Sequence, residues 1–331
     1  MIAATVYRGE MIENTHAAHV AVVDAHGRLL YSFGDPHRLT LPRSAAKPAQ
    51  ALAVMETGAL ERFGFEDADL AMMCASHSSE PRHIERVRAM LAKAHANESD
   101  LRCGGHPPIS DAVYRDWIKR DFKPTAVCSN CSGKHAGMLA GALAMREPLA
   151  GYHLPEHALQ AHVKRTMARV LDLAPDEVHW AIDGCNLPTP AFALDRLARL
   201  YANIADAPDG SPLARIYRAM TSHPELVAGE GRFCTRLMQT FDGALVGKTG
   251  ADASYAIGVR RPEGVIGIAV KVEDGNTMIV NAVVMHVLEL LGIGTQEQRG
   301  ALDAFRHPPM RNTMNVPTGR IDIGFALNHC Q

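Results

Sequence analysis

Strand-like segments occur at both ends of the chain, whereas the residues between them form mostly helical patterns. Apolar and β-branched runs predict the strands, and a glycine in the turn at residues 24–27 favours a hairpin there. The predicted strands are residues 2–7, 18–24, 28–33, 256–260 and 265–272. Because strands and helices are segregated along the chain, we predict an α+β fold in which both strand sets join one antiparallel sheet packed with the helical region.

The middle of the chain contains one further predicted strand and no obvious linker. Residues 70–75 are apolar and predict a short strand, which leads into a loop rich in hydroxyl and imidazole groups at residues 76–83. A helix is predicted from about residue 276 to 291. A chain of 331 residues can form one large domain, so we predict a single domain whose sheet comes from about 1–34 and 244–291.

Composition and charge exclude several classes of protein. The formal net charge is −2, so no polyanion partner is indicated and nucleic-acid binding is not expected. The longest apolar stretch, residues 278–293, is interrupted by polar residues, and no membrane span is expected. The seven cysteines are an odd number and no signal-peptide pattern begins the sequence, which predicts a reduced, cytoplasmic protein.

Ser44 and Lys47 have a spacing that indicates chemistry. Residues three apart share one face of a helix, and a serine becomes nucleophilic when a neutral amine beside it accepts its proton. A turn precedes the serine, which is therefore expected near a helix start, where backbone N–H groups can stabilise an oxyanion. Pro48 predicts a tight first turn. The same spacing also occurs on solvated helix faces.

A second motif, Lys248-Thr249-Gly250, comes before a predicted strand. A lysine, a hydroxyl and a glycine at a sheet edge can supply a cation and a donor while letting a substrate approach the backbone. Penicillin-recognising serine enzymes carry Ser-x-x-Lys and Lys-Thr-Gly in this order. Their middle Ser-Asp-Asn element is absent here, and Ser76 in the polar loop is the candidate to replace it.

Cys131, Lys134 and Cys185 form a third candidate group. Cys131 and Lys134 are three residues apart at a predicted helix start and can face one point. Two thiolates and a neutral amine can ligate a metal such as zinc, which takes about four ligands. Buried, unreactive cysteines are the alternative. The Cys128-x-x-Cys131 spacing also leaves a thiol redox pair open, although it lacks a βαβ context.

Together these motifs resemble the Rhizobium-type L-asparaginases, also called the asparaginase II or class 3 family. The resemblance extends over nearly the whole chain, and its most specific part is residues 130–139. Further matching positions are Arg8, Gly9, Glu13, His16, Glu80, Pro81, His83 and residues 43–48, 74–78, 183–185 and 248–251. The chain departs from the usual pattern at Ser79, Asn186 and Asp252, none of which is an expected catalytic group.

The resemblance implies a serine β-lactamase and penicillin-binding-protein type of fold, usually in a homodimer, that hydrolyses L-asparagine to L-aspartate and ammonia. It implies two serine–lysine pairs, Ser44 with Lys47 and Ser76 with Lys248. Lys271 is the alternative lysine for the second pair.

A metal site and a substrate pocket are also implied. The resemblance gives the Zn²⁺ ligands as Cys131, Lys134 and Cys185, completed by water, in a structural or substrate-positioning role. We expect Arg43 and Asp183 to form charge-assisted bonds with the α-carboxylate and α-amino groups of the substrate. His135 is expected to bind substrate or to orient a ligand.

We therefore expect an acyl transfer in which Lys47 accepts the proton of Ser44 and Ser44 attacks the side-chain amide carbon. Lys47 is expected to be held neutral by burial and by the nearby Lys248 cation. Ser76 is expected to relay protons or to position the amide, and it is the rival nucleophile. The alternatives are a related serine-dependent amidase such as a glutaminase, a non-enzymatic zinc-stabilised binding protein, and a thiol redox protein.

Overall fold

The computed structural model describes residues 1–330. Its strands are β1 (Ile2–Arg8), β2 (Met11–Asp24), β3 (Leu29–Phe33), β4 (Leu39–Thr40), β5 (His179–Ile182), β6 (Pro188–Ala193), β7 (Leu245–Gly250), β8 (Ser254–Val259), β9 (Ile266–Val272), β10 (Met310–Arg311), β11 (Pro317–Ile323) and β12 (Asn328–His329). Its helices are α1 (Lys47–Glu56), α2 (Ala59–Phe63), α3 (Asp67–Met73), α4 (Pro81–Lys93), α5 (Asp111–Lys119), α6 (Ser132–Ala144), α7 (Ala158–Leu171), α8 (Leu194–Ala205), α9 (Pro212–Ser222), α10 (Pro224–Val227), α11 (Phe233–Phe241), α12 (Thr277–Leu290), α13 (Gln296–Gly300) and α14 (Asp303–Arg306).

The chain forms two compact units. The first, here called the sheet unit, consists of residues 1–45, 192–206 and the chain from 236 onward. The second, here called the helical unit, consists of residues 46–191 and 207–235.

The sheet unit contains the antiparallel sheet that the sequence predicts. Its strand order is β10-β11-β1-β2-β9-β8-β7, with β3 on β2 and β12 on β3. The N-terminal and C-terminal strand sets meet where β2 pairs antiparallel with β9, for example Val20 opposite Val270. Every residue of β8 and β9 is buried, as is typical of strands that are covered on both faces. The predicted α+β class is confirmed, and so are the hairpin of β8 and β9 and helix α12.

Two glycines let helix α8 approach this sheet closely. A Cβ added at Gly267 would lie 1.9 Å from the carbonyl oxygen of Ala198, and one at Gly258 would lie 2.2 Å from that of Tyr201. No side chain fits these distances, so glycine is required at both positions.

The helical unit is built around α1 and α6. In α6, every residue from Ser132 to Ala142 is buried, and α1 is buried from Lys47 to Val54. A Cβ at Gly133 would lie 2.4 Å from the carbonyl oxygen of Met72, so α3 and α6 are in backbone contact there. The helices that carry the candidate site are therefore in the unit's interior.

Three local predictions were wrong. Residues 70–75 were predicted as a strand, but Asp67–Met73 is helix α3, whose first turn is capped by reciprocal bonds between Glu66 and Asp69. A short, fully buried apolar run has no periodicity that distinguishes a strand from a helix. Here the capping box formed by Glu66 and Asp69 favours the helix. Strands β5 and β6 pair antiparallel in the middle of the chain, where mostly helical patterns with an interruption at residues 183–190 were predicted. Strand β2 begins at Met11, well before residue 18.

Within residues 1–330, no helix combines the length and apolar character that crossing a membrane requires.

Candidate active site

The segment that contains Ser44 is a tight turn followed at once by a helix. Residues Arg43–Ala46 form a 3₁₀ turn, and α1 begins at Lys47 with Pro48 in its first turn. The tight first turn predicted from Pro48 is confirmed. Arg43 has a φ of 52°, in the left-handed region that non-glycine residues rarely adopt. Such backbone strain is concentrated at functional sites, so this turn is a candidate for part of a functional site.

In the sheet unit, strand β7 brings the Lys248-Thr249-Gly250 motif against the same turn. A Cβ at Gly250 would lie 2.0 Å from the carbonyl oxygen of Pro42 and 3.3 Å from the backbone nitrogen of Ala45. Lys248 is fully buried and donates a hydrogen bond to the carbonyl oxygen of Thr249 at 2.7 Å. The glycine of this motif is therefore needed for contact with the turn that carries Ser44.

The turn after β7 carries a group of charges. Arg43 forms an ion pair with Asp252, and Lys271 donates a hydrogen bond to the backbone carbonyl of Asp252. Burial and the nearby Arg38 cation lower the pKa of Lys271. Asp252 has a φ of 55°, so its backbone lies in the left-handed region. Arg43, expected to bind substrate, is thus anchored by one of the residues that depart from the family pattern.

In the helical unit, Lys47 contacts Ser76. Its side-chain nitrogen Nζ lies 3.1 Å from Ser76 Oγ and also donates to the carbonyl oxygen of Ala75. Lys47 is 1% exposed, and Ser76 is also buried. Ser76 is held through its backbone, because its N–H donates to the carbonyl of Val227 and its carbonyl accepts from Arg232. Lys47 and Ser76 therefore form a buried amine–hydroxyl pair, a pairing different from the predicted Ser76–Lys248.

His77 and Ser79, which follow Ser76, form hydrogen bonds with backbone atoms and with the Ser132 side chain. His77 Nδ1 accepts the N–H of Ser79 at 3.1 Å, and its Nε2 donates to Ser132 Oγ at 2.8 Å, since the Ser132 hydroxyl proton goes to the carbonyl of Val127. Ser79 Oγ donates to the carbonyl of Cys128. These contacts hold the loop rigid. Ser76 is the hydroxyl of this loop that meets a lysine amine.

Cys131, Lys134 and Cys185 come together in the same unit. Cys131 immediately precedes helix α6, and Lys134 lies in its first turn. Cys185 lies in a turn closed by a hydrogen bond from the N–H of Asp183 to the carbonyl of Leu187. Lys134 Nζ lies 3.1 Å from Cys185 Sγ. Cys131 Sγ donates to Asn130 Oδ1 at 3.0 Å. The neighbouring Cys131 side chain lowers the pKa of Cys185 to about 5, and Cys185 together with burial raises the pKa of Cys131 to about 12.

The charge on Lys134 follows from these neighbours. Burial lowers the pKa of Lys134, but the nearby side chains of Cys185, Cys131 and Asp183 outweigh burial and raise it. Cys185 Sγ lies 3.7 Å from Asp183 Oδ2. The group is thus a buried thiolate–ammonium pair with a second thiol beside it.

The donor atoms of this group suit a metal ion. Two sulfurs and a nitrogen at one point match the soft ligands of zinc, and binding would require a neutral Lys134. In residues 1–330 there is no cluster of three or more histidine, cysteine or acidic side chains able to hold a metal, and this group has only two such residues. The residues present fit zinc only with the lysine as a third ligand.

His135 and Tyr152 form a buried pair beside this group. His135 Nδ1 lies 2.6 Å from the hydroxyl oxygen of Tyr152, and both side chains are 0% exposed. The sequence predicted a role for His135 but none for Tyr152. No motif marks Tyr152, because it lies in a turn 17 residues further along the chain.

Comparison with known proteins gives the family. The family model described as L-asparaginase II matches residues 4–323, nearly the whole chain. No curated protein matches the sequence.

Two solved structures are similar to the chain in fold. One, from Bacteroides dorei DSM 17855 and provisionally described as a β-lactamase, has 11% identity and a TM-score of 0.43, covering 81% of this chain and 92% of that one. The other, a β-lactamase from Mycobacterium bovis, has 15% identity and a TM-score of 0.44, covering 82% of this chain and 94% of that one. On the match to the family model, the chain belongs to the L-asparaginase II family.

Proposed function

We propose that this protein hydrolyses L-asparagine to L-aspartate and ammonia by serine–lysine acyl transfer. The observation that carries the proposal is the buried contact between Lys47 Nζ and Ser76 Oγ at 3.1 Å, in a chain of the asparaginase family. Both hydrogen bonds of Lys47 are to uncharged oxygens, the carbonyl of Ala75 and the hydroxyl of Ser76. A buried lysine in such surroundings is suited to act as a general base.

The reaction proceeds in two halves. A serine hydroxyl attacks the side-chain amide carbon while Lys47 takes its proton, and the C–N bond then breaks as the proton passes to the leaving nitrogen, releasing ammonia. Water adds to the resulting β-aspartyl ester with the same base, giving aspartate and free serine. We propose Ser44, three residues before Lys47 and preceded by the left-handed Arg43, as the nucleophile, with Ser76 as the proton relay.

Arg43 and Asp183 are proposed to bind the charged groups of the amino acid. A guanidinium is a strong partner for the α-carboxylate, and a carboxylate is one for the α-ammonium group. For Ser76, Lys248 stays the proposed second lysine and Lys271 its alternative.

A zinc ion is proposed at Cys131, Lys134 and Cys185. Bound there, it would hold both sulfurs as thiolates and the lysine as a neutral amine, which organises the start of α6 and the turn at Cys185. The proton transfers above are assigned to Lys47 and Ser76.

We also propose a cytoplasmic homodimer. The seven cysteines of the chain are all free thiols, as in a reducing compartment, and the resemblance implies a dimer. Light scattering on the purified protein should give twice the chain mass, and a monomer would contradict the dimer.

A coupled ammonia assay tests the function. Wild-type protein should release ammonia from L-asparagine, with much slower release from L-glutamine and no turnover of benzylpenicillin. Ser44→Ala should abolish turnover and keep its melting temperature, whereas Ser76→Ala should lower kcat by about 10²-fold, the scale of a lost proton-transfer group. Wild-type rates in Ser44→Ala would remove Ser44 as nucleophile, and faster turnover of L-glutamine would favour a glutaminase.

A further inference from the structure

The His135 ring presents one nitrogen without a partner. Its Nδ1 lies 2.6 Å from the Tyr152 hydroxyl, whereas its Nε2 is buried with no hydrogen-bond partner within residues 1–330. Native proteins rarely leave a buried polar atom unsatisfied, and such an atom calls for an explanation. A ligand that supplies the missing partner is the explanation to test.

The hydrogen-bond network assigns the proton on His135. The backbone N–H of Arg102 donates to the Tyr152 oxygen at 3.0 Å, so one lone pair of that oxygen is used. Burial raises the pKa of Tyr152, and the hydroxyl therefore keeps its proton. Within residues 1–330, His135 Nδ1 is the acceptor that this proton meets.

One of the two His135 tautomers leaves fewer atoms of this network without a hydrogen-bond partner. If Tyr152 donates to Nδ1, then Nε2 carries the ring proton and is the single orphan atom. If instead Nδ1 donated to Tyr152, the tyrosine proton and the Nε2 lone pair would both be unsatisfied in a fully buried place. The first arrangement leaves fewer unsatisfied groups, and His135 thus offers an N–H donor at Nε2.

The same hydrogen bond makes the ring neutral. Because the Tyr152 hydroxyl donates to Nδ1, that nitrogen carries no proton, and the two ring nitrogens have distinct roles.

We propose that Tyr152 is a positioning residue that fixes His135 as its Nε2–H tautomer, which donates a hydrogen bond to an oxygen of the amino-acid amide substrate. The tautomer assignment stands on the hydrogen bonds alone, and the identity of the acceptor rests on the proposed function. An acceptor oxygen of the substrate, carboxylate or amide carbonyl, supplies the partner that His135 Nε2 lacks among residues 1–330.

Nuclear magnetic resonance tests the tautomer without any use of activity. Long-range ¹H–¹⁵N correlation distinguishes the protonated from the bare ring nitrogen, and the His135 signals among the 17 histidines are those lost in His135→Gln. We expect a bare Nδ1 and a protonated Nε2 in wild type, and a mixture of tautomers in Tyr152→Phe. A protonated Nδ1 in wild type, or an unchanged tautomer in Tyr152→Phe, would overturn the proposal.

Kinetics test whether the tautomer serves the substrate. Tyr152→Phe should lower kcat/KM for L-asparagine about tenfold, the scale of one misplaced hydrogen-bond donor. His135→Gln keeps an N–H donor at the position of Nε2 and needs no tautomer, so adding Tyr152→Phe to it should change kcat/KM by less than about twofold. The matched control is Tyr217→Phe in α9, which removes another buried tyrosine hydroxyl of the helical unit.

The outcomes separate the two proposals. A tenfold loss that persists in the His135→Gln background would assign Tyr152 a purely structural role and overturn the positioning role. A wild-type protein that releases no ammonia would remove the proposed function, and the resonance experiment would still decide whether Tyr152 sets the tautomer.

Discussion

Two lysines are buried almost equally in the helical unit, yet their surroundings are opposite. Lys47 is 1% exposed and Lys134 is 2% exposed. Lys47 meets the carbonyl oxygen of Ala75 and the hydroxyl of Ser76, neither of which is charged. Lys134 meets Cys185, whose pKa is lowered to about 5, with Asp183 close behind it.

The difference shows that burial alone does not decide what a lysine does. A buried amine with uncharged partners can give up its proton at little electrostatic cost, which suits a base. A buried amine beside a thiolate is held as a cation, and removing either partner leaves the other charge buried without an opposite charge. Lys47 is thus the candidate for chemistry, and Lys134 the candidate for structure and metal binding.

The largest effect is expected from Lys47→Met. This change keeps the volume of the side chain and removes the amine, so kcat for ammonia release should fall about 10³-fold, the scale of a lost general base. The melting temperature should fall less than that of Lys134→Met, because the groups left without a partner are a carbonyl and a hydroxyl and carry no charge. Steady-state assays and a thermal melt measure both quantities.

Two results would contradict the assignment of Lys47 as a base and Lys134 as a structural residue. An unfolded Lys47→Met protein would show that Lys47 is structural, and normal turnover would show that Lys47 is not the base. Lys134→Met is the matched variant, and we expect it to lose stability as well as activity.

The next effect is expected from Cys185→Ala. In zinc-free protein it leaves the buried Lys134 cation without its thiolate, and the free energy of unfolding should drop by about 3 kcal/mol, as when one partner of a buried ion pair is removed. Cys234→Ala, which removes another buried thiol, is the control and should cost less. Urea unfolding with both variants measures the difference, and equal losses would mean that the lysine contact contributes nothing.

The same variant tests the metal. Elemental analysis of Cys185→Ala should show less zinc than wild type, since a sulfur ligand is gone. Unchanged zinc content would remove Cys185 from the proposed ligand set.

The smallest effect is expected at a solvent-exposed ion pair, which extends the comparison from buried to exposed charges. Glu273 accepts hydrogen bonds from Arg38 at 2.5 and 2.8 Å, and this contact lowers the pKa of Glu273 to about 2, while 38% of its side chain is exposed. A lowered pKa in the folded state stabilises the protein above the ordinary glutamate value of 4.5, and this stability is lost as the pH falls towards about 2.

Glu273→Gln should therefore be modestly less stable than wild type near pH 6 and equal to it near pH 2. Urea midpoints across this range measure the difference. A gap that stays constant with pH would mean that the carboxylate charge of Glu273 is not its cause.

The sequence predicted the parts of this protein that depend on local pattern. The hairpin at residues 24–27, the hairpin of β8 and β9 and the helix α12 follow from periodicity and turn residues. The pairing of β2 with β9 follows from the segregation of strands and helices along the chain. The tight turn before Lys47 follows from Pro48. The run at residues 70–75 was predicted incorrectly because a buried apolar segment looks the same in a helix and in a strand.

The candidate site was predicted less completely, since its contacts join distant parts of the chain. Spacing placed Lys47 beside Ser44, but Ser76, 29 residues away, is the hydroxyl that the structure puts on its amine. The contact of Lys134 with Cys185 spans 51 residues, and the resemblance rather than any spacing had paired them. Tyr152 carried no signal at all.

The sequence by itself determined the class of fold, the family and the identity of most side chains proposed for the chemistry, because those follow from local patterns and motifs. Only the tertiary structure decided which partner each buried lysine meets, uncharged oxygens for Lys47 and a thiolate for Lys134. The physical reason is that the protonation of a buried amine depends on the charges packed around it, and packing brings those charges from remote parts of the chain.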